Sequence, residues 1–349
     1  MTPQVVEVRL KRPRPDLLAL FAQPEMALLR PYTASGTGPF RIEQPGPQPL
    51  LRPIRYPDRT EPDAPSDVRP ERDVRLIGER ASLAIARFAA RRSDLVTGGT
   101  FADRPLLAMT NIAPANLRVD PAAGLFGLAI VSREDFLADA AHRNALSAAI
   151  DRPAVAGSVL EGWPTAEAFL PEQLDSAMPP VVPDWASQPL AARRAAGAAL
   201  VREWNKPVRL RVALPAGPGA TLIFGQLAAS LATIGVGLDR VGFDARADLR
   251  LIDAIAPYDS ARWYLANACA PCSAEAENAL IAARDAPDTA ERERLIAVAD
   301  AALARDVSFI PLARPLRWSL VALRLGRWAP NARAWHVLNR LRIDTISAQ

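Results

Sequence analysis

Between Val208 and Val241 the chain reads as strand, helix, stop and strand again, and this stretch constrains the fold more than any other. Val208, Leu210, Val212 and Leu214 alternate with Arg209, Arg211 and Ala213, the period-two pattern of a half-buried strand. Ala220–Ile234 follows as a helix, Gly235 ends it, and Val236–Val241 is the next strand. The same alternation recurs along the chain. Val74–Ile77 and Asp94–Val96 read as strands around a helix at Ala81–Ala90, and Leu125–Val131 is an apolar run of strand length. Asp139 caps a helix whose Leu146, Ala149 and Ile150 share a face, with Pro153 limiting it. Ala191–Trp204 is a further helix, and Asp288 with Glu291 resembles a capping box for one that runs to about Arg305. Val307–Leu312 and Trp318–Val321 close the pattern as strands, and Val5, Val6, Val8 and Leu10 open it as another. Helices alternating with strands from end to end specify an α/β architecture. The Pro-rich stretches at 43–70 and 164–189 read as loops within domains.

Composition narrows the function classes. With 349 residues, half of them apolar, the chain is long enough for two or three domains with real cores. The net charge is +4, but the arginines are interleaved with acids, as in Arg284–Asp285 and Glu291–Arg294, so no basic face for a nucleic acid is indicated. No apolar run reaches the roughly 18 residues of a membrane span. Met1–Leu10 does not read as a secretory signal. The two cysteines, Cys269 and Cys272, form the run C-A-P-C, open to a local disulfide, to unpaired thiols, or to a redox or metal role.

Catalytic signatures do not emerge. There is no G-x-S-x-G elbow, no H-E-x-x-H and no P-loop, and the Gly-bearing stretches Thr97–Thr100 and Pro215–Ala220 lack a phosphate-binding Lys. His142 reads as packing, and His336 as packing or a ligand contact. Asp300 and Asp306 are expected on solvated helix faces. No enzyme activity, cofactor or metal is expected.

Several motifs, in order, resemble the family 5 extracellular solute-binding proteins of bacterial ABC importers for peptides, nickel complexes and related solutes. Gly36–Phe40 (GTGPF) resembles the family's G-T-G-P-[FY] strand entry, and Ile85–Val96 its short acidic-apolar strand segment. Leu137–Arg152 matches L-x-D-x-x-x-R-x-A-L-x-x-A-I-D-R, the strongest of the set. Leu231–Val236 (LATIGV) and Phe309–Leu312 (FIPL), with Trp328 and Asn331 beyond, complete the series.

The resemblance implies a two-lobe periplasmic-binding-protein-like (type II) α/β fold with mixed sheets. Residues 1–131 would form lobe I, 132–316 lobe II and 317–349 the return segment of lobe I, with crossings near 125–133 and 309–318. Family members carry an export signal and further chain ahead of the strand at Val5–Leu10, so lobe I is expected to be incomplete. The implied function is capture of a small peptide or peptide-like solute and its delivery to the membrane permease subunits, in the periplasm. The alternative is a degenerate binding-protein fold acting as an interaction module. By the resemblance, Tyr258, Asp259 and Trp263 occupy the ligand-contact segment, and Arg317 and Trp318 sit where the chain returns to lobe I. Peptide binders of the family often carry W-x-A-D-Y, whose Asp pairs with a peptide amino terminus. Here Ala254–Tyr258 reads A-I-A-P-Y, with Ala254 for the Trp and Pro257 for the Asp.

Overall fold

The computed structural model describes residues 7–15, 17–23, 26–27, 29–30, 35–36, 38–54, 72–269 and 271–341. In chain order its main strands are β1 (Phe40–Gln44), β2 (Leu50–Pro53), β3 (Val74–Arg75), β4 (Leu95–Thr100), β5 (Leu117–Asp120), β6 (Gly124–Ile130), β7 (Val208–Ala213), β8 (Val236–Val241), β9 (Leu249–Ile255), β10 (Phe309–Ala313) and β11 (Arg317–Val321). The main helices are α1 (Ala81–Ala89), α2 (Ala140–Ala149), α3 (Arg152–Gly157), α4 (Leu190–Trp204), α5 (Pro218–Ala232), α6 (Ala261–Ala268), α7 (Ala274–Arg284) and α8 (Thr289–Asp306).

Contacts divide the chain into two compact units. The larger holds the described residues of Met1–Leu20 with Thr100–Pro105 and Ala122–Leu316; the smaller holds those of Phe21–Gly99, Leu106–Pro121 and Arg317–Gln349. The larger unit is built on a five-stranded sheet ordered β8-β7-β9-β6-β10. β7 runs parallel to β8 and β9, whereas β6 is antiparallel to both β9 and β10. Each face of this sheet is covered, and the sequence of β6 records it. Phe126, Leu128 and Ile130 point into one core, with Leu146, Val155, Ile223 and Leu227 from α2, α3 and α5. Leu125 and Ala129 point into the other, with Tyr264, Leu265, Leu280, Ile296 and Leu303 from α6, α7 and α8. A strand covered on both sides reads as a continuous apolar run rather than an alternating one. Each Leu-sized side chain so buried stabilises the unit by about 1.5–3 kcal/mol. The Thr100–Pro105 excursion joins the first core through Phe101, while the Ala102 carbonyl accepts from Gly219 N–H at the start of α5 (2.9 Å).

In the smaller unit β4, β11 and β5 form one sheet and β1, β2 and β3 another. Trp318 is 0% exposed and packs with Ile85, Phe88, Leu107 and Leu320. Its indole lies where a Cβ on Gly99 would stand 2.2 Å from the ring, so β4 passes beneath it only as glycine.

Two expectations change here. The division falls at Pro121/Ala122 where the sequence reading puts it at 131/132, because β6 is hydrogen-bonded on both edges by strands of the larger unit. Of the strand at Val5–Leu10, Val5 and Val6 lie outside the described residues, and 7–10 form no strand. Chain that the reading assigned to lobe I is instead anchored on the larger unit, where Arg12 and Arg14 both pair with Asp285.

Two buried arginines fix the larger unit's interior. Arg143 of α2 donates to the Leu137 and Ala138 carbonyls (2.8 Å each) and to Asp306 through both its carbonyl and its carboxylate. Asp306 precedes Val307, a β-branched residue held at φ 48°, a conformation that persists only when its surroundings enforce it. Arg152, 2% exposed, donates to the Pro311 carbonyl of β10 (2.8 Å), to the Ala166 carbonyl (3.0 Å), and to the carbonyl and hydroxyl of Ser147 (2.9 Å each). Truncating it strands several buried acceptors at once. Arg152→Ala is expected to cost about 3–5 kcal/mol, since each buried acceptor left unpaired costs about 1–3 kcal/mol. Urea denaturation should show a lower midpoint at unchanged slope. Arg209→Ala, which removes an exposed pair with Asp239, should leave the midpoint where it is.

Candidate functional site

The larger unit contains an open recess of ≈ 400 Å³, within the size range of small-molecule sites. Three separated chain segments build it. The start of β6 supplies Leu125 and Phe126, β10 and its exit supply Phe309, Pro311 and Arg314, and the Pro-rich loop supplies residues 165–171 and Val182. β10 is an edge strand, and the loop partly covers that edge: Thr165 bridges Ala313, Ala166 N–H donates to the Leu312 carbonyl, and Arg314 N–H donates to the Pro164 carbonyl. Beyond Ala166 the recess opens between the loop and β10. Phe169 and Phe309, 6.4 Å apart and both buried in the second core, back it, whereas Phe126 borders it with its ring turned into the first core against Phe101 and Trp163 (4.9 and 4.8 Å). Glu167 and Arg314 are the charged residues on its wall. Gly124 at its edge is pressed against the partner strand, since a Cβ there would meet the Ala254 carbonyl at 2.0 Å.

The loop from Pro164 to Pro189 has little regular structure, so polar anchors hold it down. Arg152 takes the Ala166 carbonyl, and the same guanidinium lies 4.8 Å over the Trp185 ring. Asp175 accepts from Arg292 (2.8 Å), from Ser260 Oγ (3.2 Å) and from Ala261 N–H at the start of α6. Asp300 of α8 accepts from Val181 N–H at 2.9 Å. Asp300 and Asp306 therefore do not lie on solvated faces. Asp300 is 2% exposed because the loop lies over it, and Asp306 is held by Arg133, Arg143 and Ser273 N–H. Desolvation pushes the Asp300 carboxyl up to about 6, and its Oδ1 has no hydrogen-bond partner.

The residues singled out from sequence are not brought together at this recess. Tyr258 and Asp259 lie between β9 and α6, with Asp259 exposed. Trp263, on α6, is half-buried, edge-on to Tyr264 (5.1 Å) and packed on the second core. Arg317 and Trp318 belong to the smaller unit, with Trp318 wholly inside its core. Cys269 and Cys272 are bonded to each other and pack against the second core. His336 Nε2 is hydrogen-bonded to the Asp120 carboxylate at 3.2 Å, both side chains buried, and the ring lies against Trp328; His142 stacks on Phe136 at 4.2 Å. Sequence reasoning missed Glu167, Phe169 and Arg314. The prolines at 164–189 flagged the loop, but nothing local tells which strand it covers.

The fold is that of two-lobe periplasmic binding proteins. The chain aligns with the murein tripeptide binding protein MppA of Escherichia coli over 96% of its own length and 72% of that chain, at TM-score 0.74 and 16% identity. For OppA of Haemophilus influenzae, in complex with RPPGFSPFR, the shares are 95% and 72%, at TM-score 0.71 and 14% identity. For NikA of Brucella suis, in complex with Fe(III)-EDTA, they are 95% and 76%, at 0.72 and 17%. No family model and no curated protein sequence matches the chain. Among the described residues no helix is long and apolar enough to cross a membrane.

The Asp300 anchor carries a pH signature. In the folded chain its carboxyl takes a proton near pH 6, against the ordinary 3.8. The raised value means stability is highest below the unfolded value and falls as pH rises from about 4 to 6, where the unfolded chain ionises first. Asp300→Asn removes this dependence. Urea melts should show the variant gaining on wild type as pH rises from 4 to 7.5; a gap that does not change with pH would refute the assignment.

Proposed function

We propose that the chain is the solute-binding component of an ABC-type importer, capturing a small peptide or peptide-like solute and delivering it to the membrane permease, with the periplasm as its compartment. The observation that carries this reading is the recess of ≈ 400 Å³ with one charge of each sign on its wall, set in a fold shared with peptide- and chelate-binding proteins. Fold alone does not assign function; a partly apolar hollow with few polar groups is what a captured solute needs. The role calls for no bond making. What the chain must supply is a wall that is already shaped when the solute arrives, so that binding energy is not spent ordering it. The anchoring of the loop by Arg152, Asp175 and Asp300 supports that requirement. An interaction module without a solute gives no reason to keep such a hollow. Tyr258, Asp259, Trp263 and Arg317 remain proposed solute contacts outside it.

Thermal melting against peptides, metal chelates and opines tests the reading. A ligand that binds only the folded chain stabilises it by about 2.7 kcal/mol at a hundred times its Kd. At least one class should raise the melting temperature progressively with concentration, and a flat response across the library would sink the proposal.

A further inference from the structure

We propose that the recess of the larger unit is itself the capture site for a small zwitterion of amino-acid or dipeptide type, with Glu167 meeting its ammonium group and Arg314 its carboxylate. The inference rests on the solute-binding reading above and names the site and ligand chemistry for it. Its first support is the charge inventory of the wall. One carboxylate and one guanidinium line a hollow whose other lining residues are apolar apart from Thr165. A solute with one charge of each sign and an apolar body matches that inventory; a dianion or dication does not.

The state of the two groups is the second support. Glu167 is half-buried, and its nearest cation, Arg193 Nη1, stands 3.9 Å from Oε1. That is ion-pair range but too long for a hydrogen bond, so among the described residues neither carboxylate oxygen receives a donor. Arg193 also lies 5.2 Å over the Trp185 ring, and its Nη1 makes no hydrogen bond, so its hold on Glu167 is electrostatic alone. The Glu167 carboxylate therefore keeps acceptor capacity for an incoming ammonium, which offers three donors. Arg314 has its backbone fixed, the N–H on the Pro164 carbonyl and the carbonyl accepting from Trp163 Nε1 at 2.7 Å. Its exposed side chain has no ion pair among the described residues. A rigid root with an uncommitted head suits a residue that closes on a ligand carboxylate.

The third support is position. The adjoining residues Ala166 and Pro311 are both held through their carbonyls by Arg152, so Glu167 is displayed from a backbone that does not need to reorganise. Pro171 and Val182, both exposed on the loop, supply apolar surface for the body of the solute.

Isothermal titration with Ala-Phe and Ala-Leu, each compared with its N-acetylated and its C-amidated form, tests the assignment. Wild type should bind the free dipeptides, and Glu167→Gln should weaken them at least tenfold while changing the N-acetylated forms little. Arg314→Gln should weaken the free peptides but not the amides. Glu172→Gln, an exposed carboxylate five residues along the same loop, should bind as wild type does. Melting temperatures of the free variants report folding separately. Dipeptide binding that survives Glu167→Gln would overturn this site and leave the solute-binding function standing. Binding of other library solutes with none of the dipeptides would overturn the ligand class, and no binding by any solute would overturn both readings.

Discussion

The interior of the larger unit depends on one buried cation. Arg152 sits where α2 gives way to α3, and its guanidinium spans the Ser147 carbonyl and hydroxyl, the Pro311 carbonyl of β10 and the Ala166 carbonyl of the Pro-rich loop. Desolvation lowers its pKa to about 10, so it stays charged at neutral pH. A buried charge is tolerated only when its donors are met, and here carbonyls from three segments and the Ser147 hydroxyl meet them, with the Trp185 ring beneath. The consequence is geometric. Helix junction, edge strand and loop cannot shift independently without unpairing that charge, and the recess lies among these segments.

That dependence explains why one stretch of sequence was so readable. In Leu137–Arg152 the two acids have local duties and the two arginines have distant ones. Asp139 caps α2 through Ala141 N–H, Asp151 caps α3 through Ala154 N–H, and Arg143 and Arg152 fill the two guanidinium sites. Ala145, Leu146, Ala149 and Ile150 are buried between them. Caps and faces act over a few residues, so spacing reveals them. At Asp288 the reading was half right: its side chain accepts from Glu291 N–H, but the Glu291 carboxylate turns to Arg294 instead of completing the box.

The loop at 164–189 was opaque for the opposite reason. It carries no period, and what fixes it lies far away: Asp175 meets Arg292 across 117 positions, and Val181 meets Asp300 across 119. Helical spacing placed Asp300 on the outside of α8 because periodicity cannot show that another segment covers that face. The recess was hidden likewise, since two of its walls lie more than a hundred residues from the third and become its neighbours only through the order of the sheet. Trp318 illustrates the remaining ambiguity. An indole beside a chain crossing suits a ligand or a core equally in sequence, and the absent Cβ at Gly99 decides for the core.

The segment Ala254–Tyr258 makes the last step. Ala254 lies where the resembled peptide binders place a Trp, and its carbonyl abuts Gly124 so closely that any side chain at 124 would strike it. Pro257 offers neither a carboxylate nor an N–H, so that position has no counter-charge for an ammonium group. The half-buried carboxylate on the wall of the recess comes from the other side of β6, on the loop that Arg152 secures. In the proposed site the counter-charge therefore stands on a loop at the edge of the sheet, held there by Arg152, and not on the segment after β9. The scaffold residues are constrained by packing and unpaired carbonyls, whereas a rim carboxylate such as Glu167 has only one loose ion pair to lose. On the proposed reading, solute preference rests on a loop residue outside the packed core, and the motifs that reveal the fold do not include it.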